Sequence, residues 1–551
     1  MITIEKIYPA GYLHLLGGIM DDLQLKETID QMVPVDAQCL TTVGEAVKLL
    51  VLDMLSGRQP LVHIEKWAAR QDLDRLIREG AQASSFNDDT LWRHLDRLHE
   101  ADIHKIFSAF QLHVYKRENI PMRAFHGDTT SKSVYGAYTK PSEALKIVEG
   151  YSRDRRGAKQ IQFGMVGNSD GIPIYADVHD GDTSDKTWNP DVLEAIHKQC
   201  RAMDLKDYVY VADSAAMSTQ TLKAARAAGA HLLTRAPNHL KIVKAALEAA
   251  DAPDAPWSQP IAFASGKEGA VYRWFERAAE HDGHALRLIV VESSALDKKK
   301  EKTLSRQRED EAASLGEAAS RLDTQVYHCR ADAQQAADVL AAKTKPHFHR
   351  LAWRVTEQEV LRKKRGRPKA SAAPETTLVY RVHLEVTADE AMFQQARRRA
   401  SRFVLAATLP EQWQGETMDG AAVLGLYKGQ INVEMNFSFL KDPVYTDEIY
   451  LKKPERVKVL GYLFLLALTV YRVFQRRIRQ HITAERPLRG AGGRILRSPT
   501  SAAIFQIFKY LQIVAIRLPD GTRIRQFSEP LEPEQRRILT CLGYDESLYL
   551  G

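Results

Sequence analysis

Six side chains in this sequence have types and spacings suited to acid, base and metal chemistry. Tyr427, Gln430, Glu434 and Lys441 lie in the segment YKGQINVEMNFSFLK at successive intervals of three, four and seven residues. On one α-helix turning about 100° per residue they fall within an arc of roughly 60°, so a phenol, an amide, a carboxylate and an ammonium share a face. Leu426, Val433, Phe437 and Leu440 fall on an adjoining arc, which lets the helix bury one side and keep the polar one in a cleft. Two aspartates lie upstream. Tyr208 to Ala212, YVYVA, is a short apolar run of the buried-strand type, and it delivers Asp213 at its C-terminal end, where ligands of α/β sheets bind. Asp128 lies in MRAFHGDTTSKSVYGAY, which is poor in helix formers and reads as a strand and hairpin with the aspartate where the strand meets its polar part.

The Tyr427 to Lys441 spacing resembles the Tyr-x2-Arg-x3-Glu-x6-Lys signature of the DDE transposases of bacterial insertion sequences, in the clan numbered four. Gln430 stands where that signature has Arg, and a neutral amide does not replace a planar guanidinium on a phosphate without loss. The resemblance extends to Gly181-Asp-Thr-Ser-Asp185 and to Asp442-Pro443 and Leu451-Lys-Lys-Pro-Glu-Arg456. It implies that Asp128, Asp213 and Glu434 are three catalytic, metal-binding carboxylates. It also implies that Tyr427, Gln430 and Lys441 contact phosphates at the element's ends. Such hard oxygen ligands suit Mg²⁺ or Mn²⁺, and two ions about 4 Å apart can serve both hydrolysis and joining of a freed 3′-OH. Double-stranded DNA, a homodimer or larger synaptic complex, and a bacterial cytoplasm are implied with it. Two other readings remain open: an RNase H-like metal nuclease that does not join, and an inactive, transposase-derived DNA-binding regulator.

The elements that must position these residues follow from the rest of the chain. At 551 residues, 44% hydrophobic and 27% charged, the chain has the balance of a multi-domain globular protein. Its net charge of +7 favours an anionic partner, and the excess sits late: residues 441–551 hold 19 Lys and Arg against 11 Asp and Glu. Cys39, Cys200, Cys329 and Cys541 have neither disulfide-framework nor zinc spacing, which suits reduced thiols in a cytoplasm. No signal peptide is visible in MITIEKIYPAG, and the apolar run Val459 to Tyr471, about thirteen residues, is short of the roughly 20 a membrane span needs, so it reads as a buried core helix.

The fold expected is α/β: an RNase H-like core with a β-rich insertion, a helical N-terminal domain and a helical C-terminal region. Residues 1–118 read as helical, with a capping box at Thr42 to Glu45 and a helix capped at Asn87-Asp88 that turns Leu91, Leu95 and Leu98 inward and Arg93, His94 and Arg97 outward. They are either a helix-turn-helix DNA-end domain or a plain helical bundle. Residues 119–237 carry the first part of the core, with strands at 160–166 and 172–178 joined at Asn168 to Gly171, a helix around Pro190 to Cys200, and strands at Tyr208 and His231. Asp182 and Asp185 read as loop and cap residues outside the metal set. The insertion takes residues 238–400, with strands at 271–276, 286–292 and 377–386 and one highly charged helix from Asp297 to Lys345. Within it, Arg365-Gly-Arg-Pro368 is either a minor-groove contact through Arg365 and Arg367 or a solvated basic loop. Residues 401–480 return to the core with the Glu434 helix, and residues 481–551 form a C-terminal region that can carry dimer contacts.

Overall fold

The computed structural model describes residues 2–139, 142–150, 157–183, 185–263, 270–296, 298–362 and 376–551. Arg365 and Arg367 lie outside them. The fold is mixed α/β and divides into two compact units: Met1–Arg235 with Glu280–Leu286 and Ala406–Gly551, and Ala236–Ala279 with Arg287–Leu405.

The first unit is built on a sheet with apolar strands. Ala124–Ser133 pairs antiparallel with Lys159–Gly167, which pairs antiparallel with Pro173–His179. On its other side Ala124–Ser133 runs parallel to Tyr208–Ala212, and that strand runs parallel to Ala230–Arg235. The turn between the second and third strands is set by Asn168, whose Oδ1 accepts from the Asp170 and Ile172 amides at 3.1 and 2.9 Å, and by Gly171 at φ +79°. YVYVA is buried at all five positions, as its composition requires.

A long helix lies on this sheet, with its Gly461 against Val178 and Phe163, and N-terminal helices pack on that helix in turn. Thr42 and Glu45 form the expected capping box, and the helix it opens, Val43–Leu55, is buried along its whole length. Asn87 caps Asp88–Glu100 by accepting from the Thr90 amide at 3.0 Å, and Leu91, Leu95 and Leu98 face inward. His94 departs from the outward orientation expected. It is 3% exposed and lies 3.0 Å from the Thr41 hydroxyl, because a helix packed on two sides turns more than one stripe inward. The apolar run near Val459 belongs to a 26-residue helix, Pro454–Arg479, twice as long as its apolar stretch. It is long and apolar enough to cross a membrane by length and composition, and 94% of its most apolar window is buried within the protein.

The N-terminal part is not wholly helical. Thr3–Tyr8 is a strand, paired antiparallel with Ile513–Arg517, which pairs with Arg523–Phe527. The C-terminal part, expected to be helical, therefore supplies two strands of a three-stranded sheet.

In the second unit the charged stretch forms two helices, Lys298–Thr324 and Arg330–Thr344, where one was expected. The strands His349–Leu361 and Thr376–Ala388 pair antiparallel over thirteen residues, and their side chains meet the two helices at Leu322, Ala333, Ala337, Val382 and Leu384.

Candidate functional site

The strand register sets the site. Gly127 pairs with Ala212, and Ala212 with Thr234. The next residues along these three neighbouring parallel strands are Asp128, Asp213 and Arg235, so two carboxylates and a guanidinium leave the sheet side by side, on strands about 4.8 Å apart. Gly127 is required beneath them: a Cβ there would lie 2.3 Å from the buried Tyr210 hydroxyl, which donates to Asn189 Oδ1 at 2.8 Å. Asp213 is exposed and caps the short turn after its strand by accepting from the Ala215 amide at 3.0 Å. Its carbonyl accepts from the Thr234 hydroxyl, tying the second strand end to the third.

The Glu434 helix differs from the single helix expected over Tyr427 to Lys441. Tyr427 belongs to Gly420–Lys428, and a second helix runs Ile431–Lys441. Gly429 and Gln430 between them keep helical φ and ψ, but the hydrogen bonds tighten to three-residue steps. The cause is close approach: a Cβ on Gly429 would lie 2.6 Å from the His126 imidazole. Gln430 is thereby turned inward, 9% exposed, and donates through Nε2 to the Gly127 carbonyl at 3.2 Å. In this position it braces the strand that carries Asp128.

The second helix is held to the same strand at its other end, where Lys132 Nζ donates to the Leu440 carbonyl at 3.0 Å and to Thr446 Oγ1 at 2.9 Å. Five strand residues rise about 16 Å and ten helical residues about 15 Å, so strand and helix run alongside between the two clamps. Midway, Asn436 Nδ2 donates to the Gly171 carbonyl at 2.8 Å and its Oδ1 accepts from Arg472 Nε at 2.6 Å. Val433, Phe437 and Leu440 are buried beneath, and Glu434 is on the exposed side.

Tyr427 reports where the carboxylates lie. Its pKa is raised chiefly by burial, Arg235 lowers it, and Asp213, Glu434 and Asp128 each raise it, so one hydroxyl senses all three carboxylates and the guanidinium. That reach is longer than a coordination bond. Among the described residues no group of three His, Cys, Asp or Glu side chains is close enough to cage a metal ion. The donor type is nonetheless that of a hard divalent cation, with one carboxylate within a strand, one at the end of the next strand and one on a helix. Lys441 stands apart, about 10 Å along the helix from Glu434 by helical rise. It lines a depression of about 400 Å³ with Lys132, Ser133 and Tyr135.

Arg235 is the site residue missing from the sequence reading. Its signal was present, because it follows a short apolar strand as Asp213 does, but the strand's pairing is needed to place it. Asp182 is ion-paired with Lys146 on the surface. The late arginines are committed internally: Arg472 to Asn436, Arg476 to Asp170, and Arg477 to Glu118 and Asp22.

A family described as a domain of unknown function, DUF4277, matches residues 3–112, the segment from the first strand through most of the Ile103–Arg117 helix. Comparison with curated proteins finds no match. Among solved structures, the chain is similar to a piggyBac transposase synaptic complex with hairpin DNA, at 10% identity and a TM-score of 0.38 over 90% of this chain and 79% of that one. It is also similar to a Mos1 transposase paired-end complex with the left transposon end and to a pre-cleavage Mos1 transpososome, each at 13% identity and a TM-score of 0.15 over 32% of this chain and 60% of the other.

Proposed function

We propose that this chain is a DDE transposase, in which an RNase H-like core cuts the ends of its own mobile DNA element by hydrolysis and joins the freed 3′ ends to target DNA. The observation that carries the reading is the register that sets Asp128, within its strand, beside Asp213 and Arg235 at the ends of the next two parallel strands, with Glu434 on a helix clamped along the first. Three consecutive antiparallel strands followed by two parallel ones suit an RNase H-like order.

In this reading Asp128, Asp213 and Glu434 hold Mg²⁺ or Mn²⁺. A bound pair of such ions supplies a water activated for attack and stabilisation of the leaving 3′ oxygen. The chain's own residues do the rest. Arg235 places a fixed positive charge beside the carboxylates, where a phosphodiester gathers negative charge. Tyr427, its pKa raised, stays protonated and offers its O–H as a hydrogen-bond donor to a phosphate oxygen. Lys441 meets a more distant phosphate. Gln430 acts indirectly by fixing the backbone before Asp128.

The test is cleavage of a labelled duplex carrying the element's end, with Mg²⁺, Mn²⁺ or EDTA. Wild type should nick only with metal, and Asp213→Ala, Asp128→Asn and Glu434→Gln should each abolish nicking while retaining end binding. Arg235→Ala should slow it about 10²-fold, as loss of one transition-state donor does. Nicking that survives in a carboxylate variant removes that residue from the site. The inward turn of Gln430 favours one second reading, a DNA-binding regulator, and tight binding without cleavage under any metal would select it.

A further inference from the structure

A second depression, of about 450 Å³, opens beside the Leu61–His63 turn and is closed on its other side by the segment Asp447 to Arg456. Its floor is apolar and aromatic: Leu61, Val62, Trp92 and Tyr450 line it, and Val62 and Tyr450 are 61% and 63% exposed. Large apolar side chains left open to water in a concave site mark a binding surface.

Its charge selects the ligand. Arg58, Lys452, Lys453 and Arg456 line it against Asp447 and Glu448. Arg456 is neutralised by Asp96 through two contacts of 2.7 Å. The Glu448 carboxylate accepts from the Tyr135 and Tyr450 hydroxyls, which fixes the Tyr450 ring in a stack on Tyr135 at 5.1 Å. Those hydrogen bonds leave Glu448 its charge, so Arg58, Lys452 and Lys453 face Asp447 and Glu448, a balance of one positive charge around two aromatic side chains. A flat, apolar ring carrying an anionic group is the ligand that satisfies both.

We propose that this depression binds an unstacked DNA nucleotide, with the base against Trp92 and Tyr450 and its phosphates on Lys452 and Lys453. Aromatic platforms edged by cations are the usual means of holding single-stranded nucleic acid. The depression shares Asp447 and Glu448 with the one lined by Lys441, so the two adjoin. The inference rests on the transposase reading for the identity of the ligand as DNA.

The experiment uses the full chain in EDTA, which keeps cleavage out of the measurement. Binding of a labelled thymidine strand of about twelve nucleotides, and of a duplex of equal length, is read by fluorescence anisotropy. Tyr450→Ala and the double variant Lys452→Glu/Lys453→Glu, both at exposed positions, should lose about tenfold in affinity for the single strand, and Tyr450→Ala should bind duplex as wild type does. A strand carrying 5-iododeoxyuridine should photo-cross-link to the peptide containing Trp92 or Tyr450. Unchanged single-strand affinity in both variants, no single-strand binding by wild type, or adducts mapping only elsewhere would each overturn the proposal. Because no metal is present, such a failure leaves the cleavage test standing, and failure of cleavage leaves this one standing.

Discussion

Gln430 donates its amide to the Gly127 carbonyl from a position 9% exposed, with His126 behind the adjacent Gly429 and only 1% exposed. The signature that this segment resembles has arginine here, so Gln430→Arg looks like a restoration. The physics points the other way, because a guanidinium needs up to five acceptors and would be buried where the amide uses one. Gln430→Arg should destabilise the protein by about 3 kcal/mol, and cleavage should fall with the displaced Asp128 strand. Thermal melting beside the cleavage assay decides it: an unchanged melting temperature with faster cleavage would mean that the side chain swings out to the DNA.

At the scale of elements, the Glu434 helix is aimed by what it is tied to. Asn436 bridges it to Gly171 on one side and to Arg472 of the long helix on the other, and both Asn436 and Arg472 are buried. Asn436→Ala strands the Arg472 guanidinium without that acceptor, at a cost of about 2 kcal/mol, and should lower cleavage at temperatures where the protein is still folded. A melting temperature that drops while cleavage at 25 °C stays at the wild-type rate would show that Asn436 supports the fold without aiming Glu434. Much of this arrangement was legible in the sequence. Capping residues announced Val43–Leu55 and Asp88–Glu100, and period and composition announced Tyr208–Ala212 and the Asn168 turn. The break at Gly429 was not, since both linking residues keep helical dihedrals and the departure comes from a tertiary contact with His126. The helix Pro454–Arg479 was legible too, from the Lys-Lys-Pro-Glu-Arg run before it to the arginines that end it, but the partners that bury those arginines lie far off in the sequence. Thr3–Tyr8 shows no inward stripe, being mostly exposed, and its partner strand lies some five hundred residues away.

For the molecule as a whole, the two ends of the chain fold against each other. Arg525 pairs with Asp72, Phe505 stacks on Tyr12 at 3.9 Å, and Tyr549 stacks on His14 at 4.7 Å. His14 is 3% exposed, and burial takes its pKa down to about 3. In the unfolded chain the same imidazole titrates near 6.5. Above that pH both states are neutral and the stability is intact; as pH falls from about 6.5 toward 3 the unfolded state takes up a proton that the folded state refuses, and stability is lost. At about 1.4 kcal/mol per unit, His14 alone costs roughly 2 kcal/mol at pH 5. His94 and His126, both lowered to about 4 chiefly by burial, act with the same sign. Asp53, raised by burial to about 7, acts oppositely: its contribution is present at low pH and lost as pH rises from about 4 to 7, and Asp21 and Asp30 are raised in the same way. The wild-type profile is therefore a balance, and a variant isolates one component. His14→Phe keeps an aromatic ring against Tyr549 and removes the proton, so the variant should gain on wild type by about 2 kcal/mol between pH 7 and pH 5. Denaturant melts at the two pH values read this directly, and an equal loss in both proteins would mean that protonation of His14 does not report on the joining of the two ends of the chain.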